Sequence, residues 1–371
     1  MKQAERTLRD LLALADIEID GPDPWDIKVN DQQFYARVLS NAALGLGESY
    51  MDGWWDCERL DILIHKLLRA GLEEKVKPIK LMLPVLAAKL FNRQKVSRAY
   101  QVAEKHYDLS NDMFKLMLDE RMVYTCAYWK DAADIEAAQE AKLDLVCRKI
   151  GLQKDMRVLD IGCGWGSFAK FAAEKYGASV VGVSVSKEQT ELGRQMCQGL
   201  DVDLRLQDYR SIDEKFDRVV SIGMFEAVGP KNFRTFMKVV DRCLNDDGIF
   251  LLHTIGTNST ATATDPWSEK YIFPNGALPT PLQLTKATDG IFQLEDWHNL
   301  NANYTRTLLA WMDRFDLNWK KIEALGFDDR FYRMWRYFLL TAAGTFTARR
   351  SHLWQVVFSK NGIEGGYGAI R

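Results

Sequence analysis

The run Val158-Leu159-Asp160-Ile161-Gly162-Cys163-Gly164-Trp165-Gly166 constrains this chain more than any other feature. Its first part, Arg157–Ile161, is a short apolar stretch that suits a buried parallel strand. The following Ser167-Phe168-Ala169-Lys170-Phe171-Ala172-Ala173-Glu174 carries apolar residues at helical spacing. Between the two, glycines at alternate positions permit positive φ and a close approach of backbone to ligand. A strand, a glycine turn and a helix in that order hold a nucleotide-like ligand at the carboxyl ends of the strands. The spacing Asp-x-Gly-x-Gly-x-Gly is not the dinucleotide pattern Gly-x-Gly-x-x-Gly, and no Lys-Ser or Lys-Thr follows to hold a triphosphate.

From this point strands and helices alternate. The pattern predicts strands near 156–161, 179–184, 202–206, 217–223 and 248–255, with helices over 166–176, 186–197 and 230–243. That rhythm is α/β, a doubly wound parallel sheet. Residues 257–300 interrupt it with Pro266, Pro274, Pro279 and Pro281 among aromatics, which predicts a structured insertion over the site. Helices over 305–325 and 328–349 and a last apolar strand, His352–Ser359, complete the chain. Upstream, 99–150 reads as helical, and 1–92 as a smaller, mainly helical N-terminal domain whose first helix carries Leu8, Leu11, Leu12 and Leu14. The division expected is 1–92, a linker at 93–105, and a catalytic domain at 106–371.

A formal net charge of −2 over 371 residues gives no ground for nucleic-acid binding. Six scattered cysteines, with no CxxC pair, suit a reduced cytoplasmic protein better than a disulfide framework, and no metal site is expected. The first residues are polar, and no apolar run reaches the roughly 18 residues of a membrane span, so membrane contact is expected to be peripheral. Residues 75–98 stand apart, with Lys75, Lys77, Lys80, Lys89, Arg93, Lys95 and Arg98 and no acidic residue, interleaved with Ile79, Leu81, Met82, Leu83, Val85, Leu86, Leu90 and Phe91. Such a stretch can lie against anionic headgroups, or be an ordinary amphipathic helix with a solvated basic face. The pair Trp54-Trp55 reads as packing in preference to a lipid anchor.

Several residues are candidates on position alone. Asp160 can meet a ligand's ammonium or ribose, or merely order its turn. After the second strand, Gly182-Val183-Ser184-Val185-Ser186 lacks the acidic residue that usually holds ribose hydroxyls, leaving Ser184 and Gln189 as polar substitutes. Asp208, in Gln207-Asp208-Tyr209, can accept from an adenine amino group or be a solvated loop aspartate.

The glycine loop resembles motif I of the S-adenosylmethionine-dependent methyltransferases. Five stretches taken together resemble the cyclopropane-fatty-acyl-phospholipid synthases: Tyr124-Thr125-Cys126-Ala127-Tyr128-Trp129, Gly162–Gly166, Gly223-Met224-Phe225-Glu226, Leu252-His253-Thr254-Ile255-Gly256, and Tyr304. The likeness extends to Gly47-Glu48-Ser49-Tyr50-Met51-Asp52-Gly53-Trp54-Trp55 and His106-Tyr107-Asp108 and so covers nearly the whole chain. The mycolic-acid-modifying relatives are similar but lack an N-terminal domain of this type. One departure is Ala227, where a histidine often follows the Phe-Glu pair.

The resemblance implies a Rossmann-like class I methyltransferase domain with a C-terminal antiparallel strand. It implies a donor site at Tyr124, Thr125, Asp160, Gly162, Cys163, Gly164, Gly166, Ser184, Val185, Gln189, Gln207 and Asp208. It also implies a bound bicarbonate ion as catalytic base, held by Cys126, Glu226, His253, Tyr304 and the backbone amide of Ile255. Its further implications are a homodimer, peripheral association with the inner face of the cytoplasmic membrane, and unsaturated acyl chains of membrane phospholipids as acceptor.

The chemistry fits these residue types. Methyl transfer to a cis-alkene leaves a carbocation, and ring closure requires loss of one methyl proton to a base in a dry site. His, Tyr hydroxyl, thiol and backbone N–H all donate to an oxyanion, while Glu226 accepts a proton and raises the ion's basicity. Each has a plainer reading: His253 as a core histidine, Cys126 as a small core residue, Tyr304 as a cap on the insertion. Tyr128, Trp129, Tyr271, Phe273, Trp297 and Phe346 are candidates for an acyl tunnel, Tyr128 and Phe273 foremost, or plain core. The alternatives are a methyltransferase adding a branch or N-methyl group to another lipid or small molecule, and a non-catalytic membrane-binding module.

Overall fold

The computed structural model describes residues 2–72, 110–258 and 265–371. The basic stretch 75–98 and His106-Tyr107-Asp108 lie outside the described residues. Two compact units are present, and neither is contiguous in sequence. Among the described residues, the first holds 2–72, 265–274 and 304–351, and the second holds 110–258, 275–303 and 352–371.

In the first unit, helices Lys2–Ala13, Gln33–Met51 and Leu60–Arg69 accompany a two-strand ribbon, β1 (Lys28–Val29) and β2 (Trp55–Asp56). Leu8 and Leu12 of the first helix are buried, whereas Leu14, expected on the same apolar face, lies past the helix end and is 57% exposed. Trp55 is fully buried against Phe34 and Tyr50, and its indole N–H donates to Leu46 O (3.1 Å), so it packs inside this unit. The helix expected near 328–349 runs over Asp329–Thr347 and belongs here, not with the catalytic domain to which the contiguous division gave it. Gly344 allows this: a Cβ there would meet Asp61 O at 2.5 Å, so only a bare backbone lets the helices cross this closely. Arg333 fixes the pairing, donating to Trp55 O and Asp56 (both 2.8 Å).

The second unit is built on seven strands: β3 (Arg157–Ile161), β4 (Ser179–Ser184), β5 (Val202–Leu206), β6 (Phe216–Ile222), β7 (Leu244–Gly256), β8 (Gln293–Asn299) and β9 (His352–Ser359), ordered β5-β4-β3-β6-β7-β9-β8. The first five in this order run parallel, while β9 slots antiparallel between β7 and β8. Alternation along each strand divides the core in two. Leu159, Val219, Phe250, Leu252, Val356 and Phe358 face the helices Phe233–Cys243 and Pro281–Thr288. Val158, Val180, Val220, Leu251 and Val357 face the helices Ile135–Lys149 and Ser167–Tyr176.

Two expectations need correction. The 99–150 region is not helical throughout: helices span Asn111–Met117 and Ile135–Lys149, and 118–134 is turn and loop. Its backbone is held by side chains instead, Asp119 accepting from Val123 N and Arg121 N (3.0 Å each). The 257–300 region is not only an insertion, because its last part forms β8, the outer strand beside β9.

Candidate active site

Three strand ends and one loop bring the predicted residues of the second unit together. The glycine turn leaves β3, and Gly162 N and Cys163 N both donate to Val183 O (2.9 and 3.1 Å). Gly162 has φ +83°, and a Cβ there would lie 2.4 Å from Met224 Cβ, in the stretch preceding Glu226. Gly166, φ +78°, opens the helix Ser167–Tyr176. Trp165 anchors the turn, its indole N–H donating to Asn111 Oδ1 (2.8 Å).

Side-chain alternation puts Asp160 on the face of Val158, and His253 and Gln355 on the face of Leu251 and Val357. All three therefore lie on the face covered by the Ile135–Lys149 helix. Asp160 is buried and its Oδ1 has no hydrogen-bond partner. Burial pushes its carboxyl up to about 7, against the opposing pull of Lys142. His253 is buried beside Lys142 and Lys149; burial chiefly, and those charges, hold its imidazole well below the usual range, so it is neutral. Its Nδ1 meets Gln355 Nε2 at 3.3 Å, while its Nε2 is buried without a partner. With the Gln355 amide donating to Nδ1, the ring proton sits on Nε2, where it can be donated onward.

Glu226 follows β6 in a 3-10 turn, Phe225–Ala227. Its Oε1 accepts from Ile255 N at 2.6 Å, and its Oε2 is buried with no partner. Burial raises its pKa, opposed by the Ile255 amide. Two members of the predicted ring, Glu226 and Ile255, thus bind each other directly. Ala227, at the departure from the resemblance, donates its N–H to Met224 O (2.9 Å) inside this turn. Cys126 is fully buried, its thiol donating to Ala127 O (3.2 Å). Tyr304 belongs to the first unit, its ring 4.5 Å from that of Phe346.

The remaining donor-site candidates are distributed along the sheet's rim. Tyr124 meets Phe114 edge-on (5.0 Å), and Thr125 Oγ1 accepts from Lys142 Nζ (2.9 Å). Cys163 is buried, which pushes its thiol well up and leaves it neutral. Gly164 has φ +57° with no atom within 4 Å of its would-be Cβ. Ser184 Oγ accepts from Ser186 N (3.1 Å), Val185 follows it half-buried, and Gln189 is buried in the first turn of Lys187–Met196. Gln207 donates to Ser211 Oγ (3.0 Å). Asp208 caps its own turn through Arg210 N (2.9 Å) and pairs with the Arg210 guanidinium (3.1 Å). Of the tunnel candidates, Tyr128 faces His298, Trp129 N donates to Asn303 Oδ1 (2.7 Å), Trp297 packs on Trp354, and Tyr271 donates to Glu48 (2.9 Å). Phe273 meets Phe338 edge-on and is 37% exposed.

Sequence reasoning missed Gln139, Lys142 and Gln355. Gln139 and Lys142 stand three apart on one helix face and Gln355 interrupts the apolar run of β9, but only the packed structure shows that all three are buried.

A family model, mycolic acid cyclopropane synthetase, matches residues 94–356. The chain belongs to that family. It is 52% identical over 99% of its length to a cyclopropane-fatty-acyl-phospholipid synthase of Escherichia coli K12, covering 96% of that protein. Among solved structures, a cyclopropane synthase from Mycobacterium tuberculosis is 30% identical, with a TM-score of 0.66 over 70% of this chain and 98% of its own. A mycolic acid cyclopropane synthase complexed with SAH (S-adenosylhomocysteine) and CTAB is 32% identical, with a TM-score of 0.65 over 70% of this chain and 98% of its own. The fold here is that of a class I methyltransferase, and the chain is a methyltransferase of the cyclopropane synthase family.

Proposed function

We propose that this enzyme converts cis double bonds of acyl chains in membrane phospholipids to cyclopropane rings, with S-adenosylmethionine as the one-carbon donor and bicarbonate as the base. The observation that carries the reading is a complementary pair of buried atoms that have no partner among the described residues, Glu226 Oε2 and His253 Nε2. One is an acceptor and the other, in the tautomer set by Gln355, a donor. Leaving both buried and unpaired is costly unless a ligand satisfies them. A small ion that donates once and accepts through its other oxygens fits that pair, and bicarbonate is such an ion. Bound there, it would supply the base for the departing methyl proton.

The chain's own residues do the rest. Ile255 N–H holds Glu226 in place, and Glu226 would accept a proton from an ion bound there. His253, neutral, donates from Nε2 without adding charge beside a developing carbocation. Cys126 lines the same unit as a contact residue, and no covalent enzyme intermediate is needed. Tyr304 enters the ring on the resemblance alone. Asp160, the Gly162–Gly166 turn and the rim residues from Tyr124 to Asp208 form the donor site. The E. coli relative's name supports the phospholipid acceptor. Among the described residues no helix is long and apolar enough to cross a membrane, so access to acyl chains is proposed to be peripheral, at the inner face of the cytoplasmic membrane. The reading also includes a homodimer and a lipid-engaging role for residues 1–92.

Incubation with S-adenosylmethionine and vesicles of unsaturated phospholipid, followed by mass spectrometry of the acyl chains, tests the reading. The expected product gains one CH2 and loses its double bond. A product that gains CH2 and keeps an alkene would assign the enzyme to methyl branching instead.

A further inference from the structure

Lys142 is left unused by the chemistry above. It lies on the Ile135–Lys149 helix and is 1% exposed, and its Nζ donates to Thr125 Oγ1 at 2.9 Å. One turn earlier Gln139 Nε2 donates to Thr125 O (2.9 Å), so this helix face clamps the backbone that leads from Tyr124 to Cys126. A buried ammonium persists only where nearby carboxylates balance it. Asp119 is one such group, but its two oxygens are engaged by the backbone N–H groups of Val123 and Arg121. Asp160 is the other: it is buried on the sheet face beneath this helix, and its Oδ1 has no partner.

Among the described residues, the other groups that face Asp160 carry no charge to help it. Cys163, from the glycine turn, and Cys197, from the end of the Lys187–Met196 helix, are buried thiols whose pKa values are pushed up, Cys197 to about 11. Around Lys142 stand Asp119, Cys126, Asp160 and His253, the last of these neutral. Among the described residues, Lys142 is the cation acting on Asp160.

We propose that Lys142 is a positioning residue for the methyl donor: it places a buried positive charge over the sheet face that carries Asp160 and holds Thr125 against the same ligand. This rests on the reading that Asp160 meets the donor's ammonium or ribose. The test is calorimetric SAH binding from about pH 6 to about pH 9, spanning the range in which a raised carboxyl titrates. In the unaltered protein, affinity should rise as pH passes Asp160's value of about 7 and level off before Lys142, whose ammonium burial lowers to about 8, loses its proton. Lys142→Met is expected to weaken binding about tenfold near neutral pH, with the deficit narrowing toward high pH as the lone carboxylate ionises. Lys142→Gln keeps a donor for Thr125 but no charge; it should show the same pH-dependent deficit and carries the test where Lys142→Met fails to fold. Added to Asp160→Asn, Lys142→Gln should have no further effect, because it keeps the donor for Thr125. A deficit constant across pH, or one that adds fully to that of Asp160→Asn, would overturn the proposal and leave Lys142 as packing. An Asp160→Asn variant that binds SAH normally would overturn the reading of Asp160 itself, a separate result.

Discussion

Glu226 shows what a single buried side chain contributes. Burial raises its carboxyl pKa, so the folded state holds that proton more tightly than the unfolded chain does. The sign follows directly: ionising Glu226 costs stability as pH climbs above the unfolded value of about 4.3, and this cost is absent below it. Glu226→Gln keeps an oxygen for Ile255 N–H and carries no charge. Scanning calorimetry without ligand should therefore show the variant melting a few degrees higher near pH 8, the gain fading as pH falls toward about 4. The same variant should bind SAH normally and lose turnover by about a hundredfold or more. Gln355 offers a second test at this scale. Gln355→Leu removes the donor to His253 Nδ1 and frees the imidazole to place its proton on either nitrogen. Turnover should fall at least about tenfold with SAH affinity intact, measured by steady-state kinetics beside calorimetry. Glu226 and His253 were singled out in the sequence by the resemblance, and by position only Glu226, which follows an apolar strand at the carboxyl rim, was hard to read as plain structure. Gln355 and Lys142 were not, because a polar residue inside an apolar run reveals its partner only after strands and helix have packed.

At the scale of the element, the glycine turn separates two costs that sequence alone merges. Gly162 and Gly164 both have positive φ, at +83° and +57°. Only at Gly162 would a Cβ also strike a neighbour, Met224, at 2.4 Å. Gly164→Ala should cost about 1 kcal/mol, the strain of a left-handed residue. Gly162→Ala should cost about 2–4 kcal/mol, since overlap adds to strain, and should displace the stretch that carries Glu226. Denaturant titration of the two variants measures the difference. The strands β3, β4, β6 and β7 were legible because each contains an apolar run, and β5 because Val202-Asp203-Leu204-Arg205-Leu206 alternates apolar and charged residues. β8 was not, since Gln293-Leu294-Glu295-Asp296-Trp297-His298-Asn299 is polar through most of its length, as an edge strand can afford to be. The segment 118–134 misled for the opposite reason, being rich in apolar residues whose backbone is held by Asp119 and Gln139 instead of by helix bonds.

At the scale of the whole molecule, the chain visits each unit more than once. A cut at residue 106, which the linear reading suggests, removes helices Gln33–Met51 and Leu60–Arg69 from beneath Asp329–Thr347. That helix buries Trp335, Tyr337, Phe338, Leu339, Leu340 and Phe346, and its Arg333 bonds to Trp55 O and Asp56. A fragment of residues 106–371 should therefore be insoluble or bind the apolar dye ANS strongly, whereas a well-folded, SAH-binding fragment would show the linear division to be adequate. The Gly344 crossing gives a finer test. Gly344→Leu should destabilise the first unit by about 3 kcal/mol or more, visible as a new low-temperature transition. SAH affinity should persist, because the proposed donor-site residues all lie in the second unit.

The insertion of β9 between β7 and β8 has a consequence during synthesis. Until residues 352–359 leave the ribosome, β7 presents an unpaired apolar edge, and β8 has no neighbour at all. The nascent sheet must wait in that open state while the intervening segment is translated, exposed to pairing with strands of other chains. Cellular yield of this enzyme should thus depend on trigger-factor-like holding and on translation speed between β7 and β9, more than on the equilibrium stability of the finished sheet.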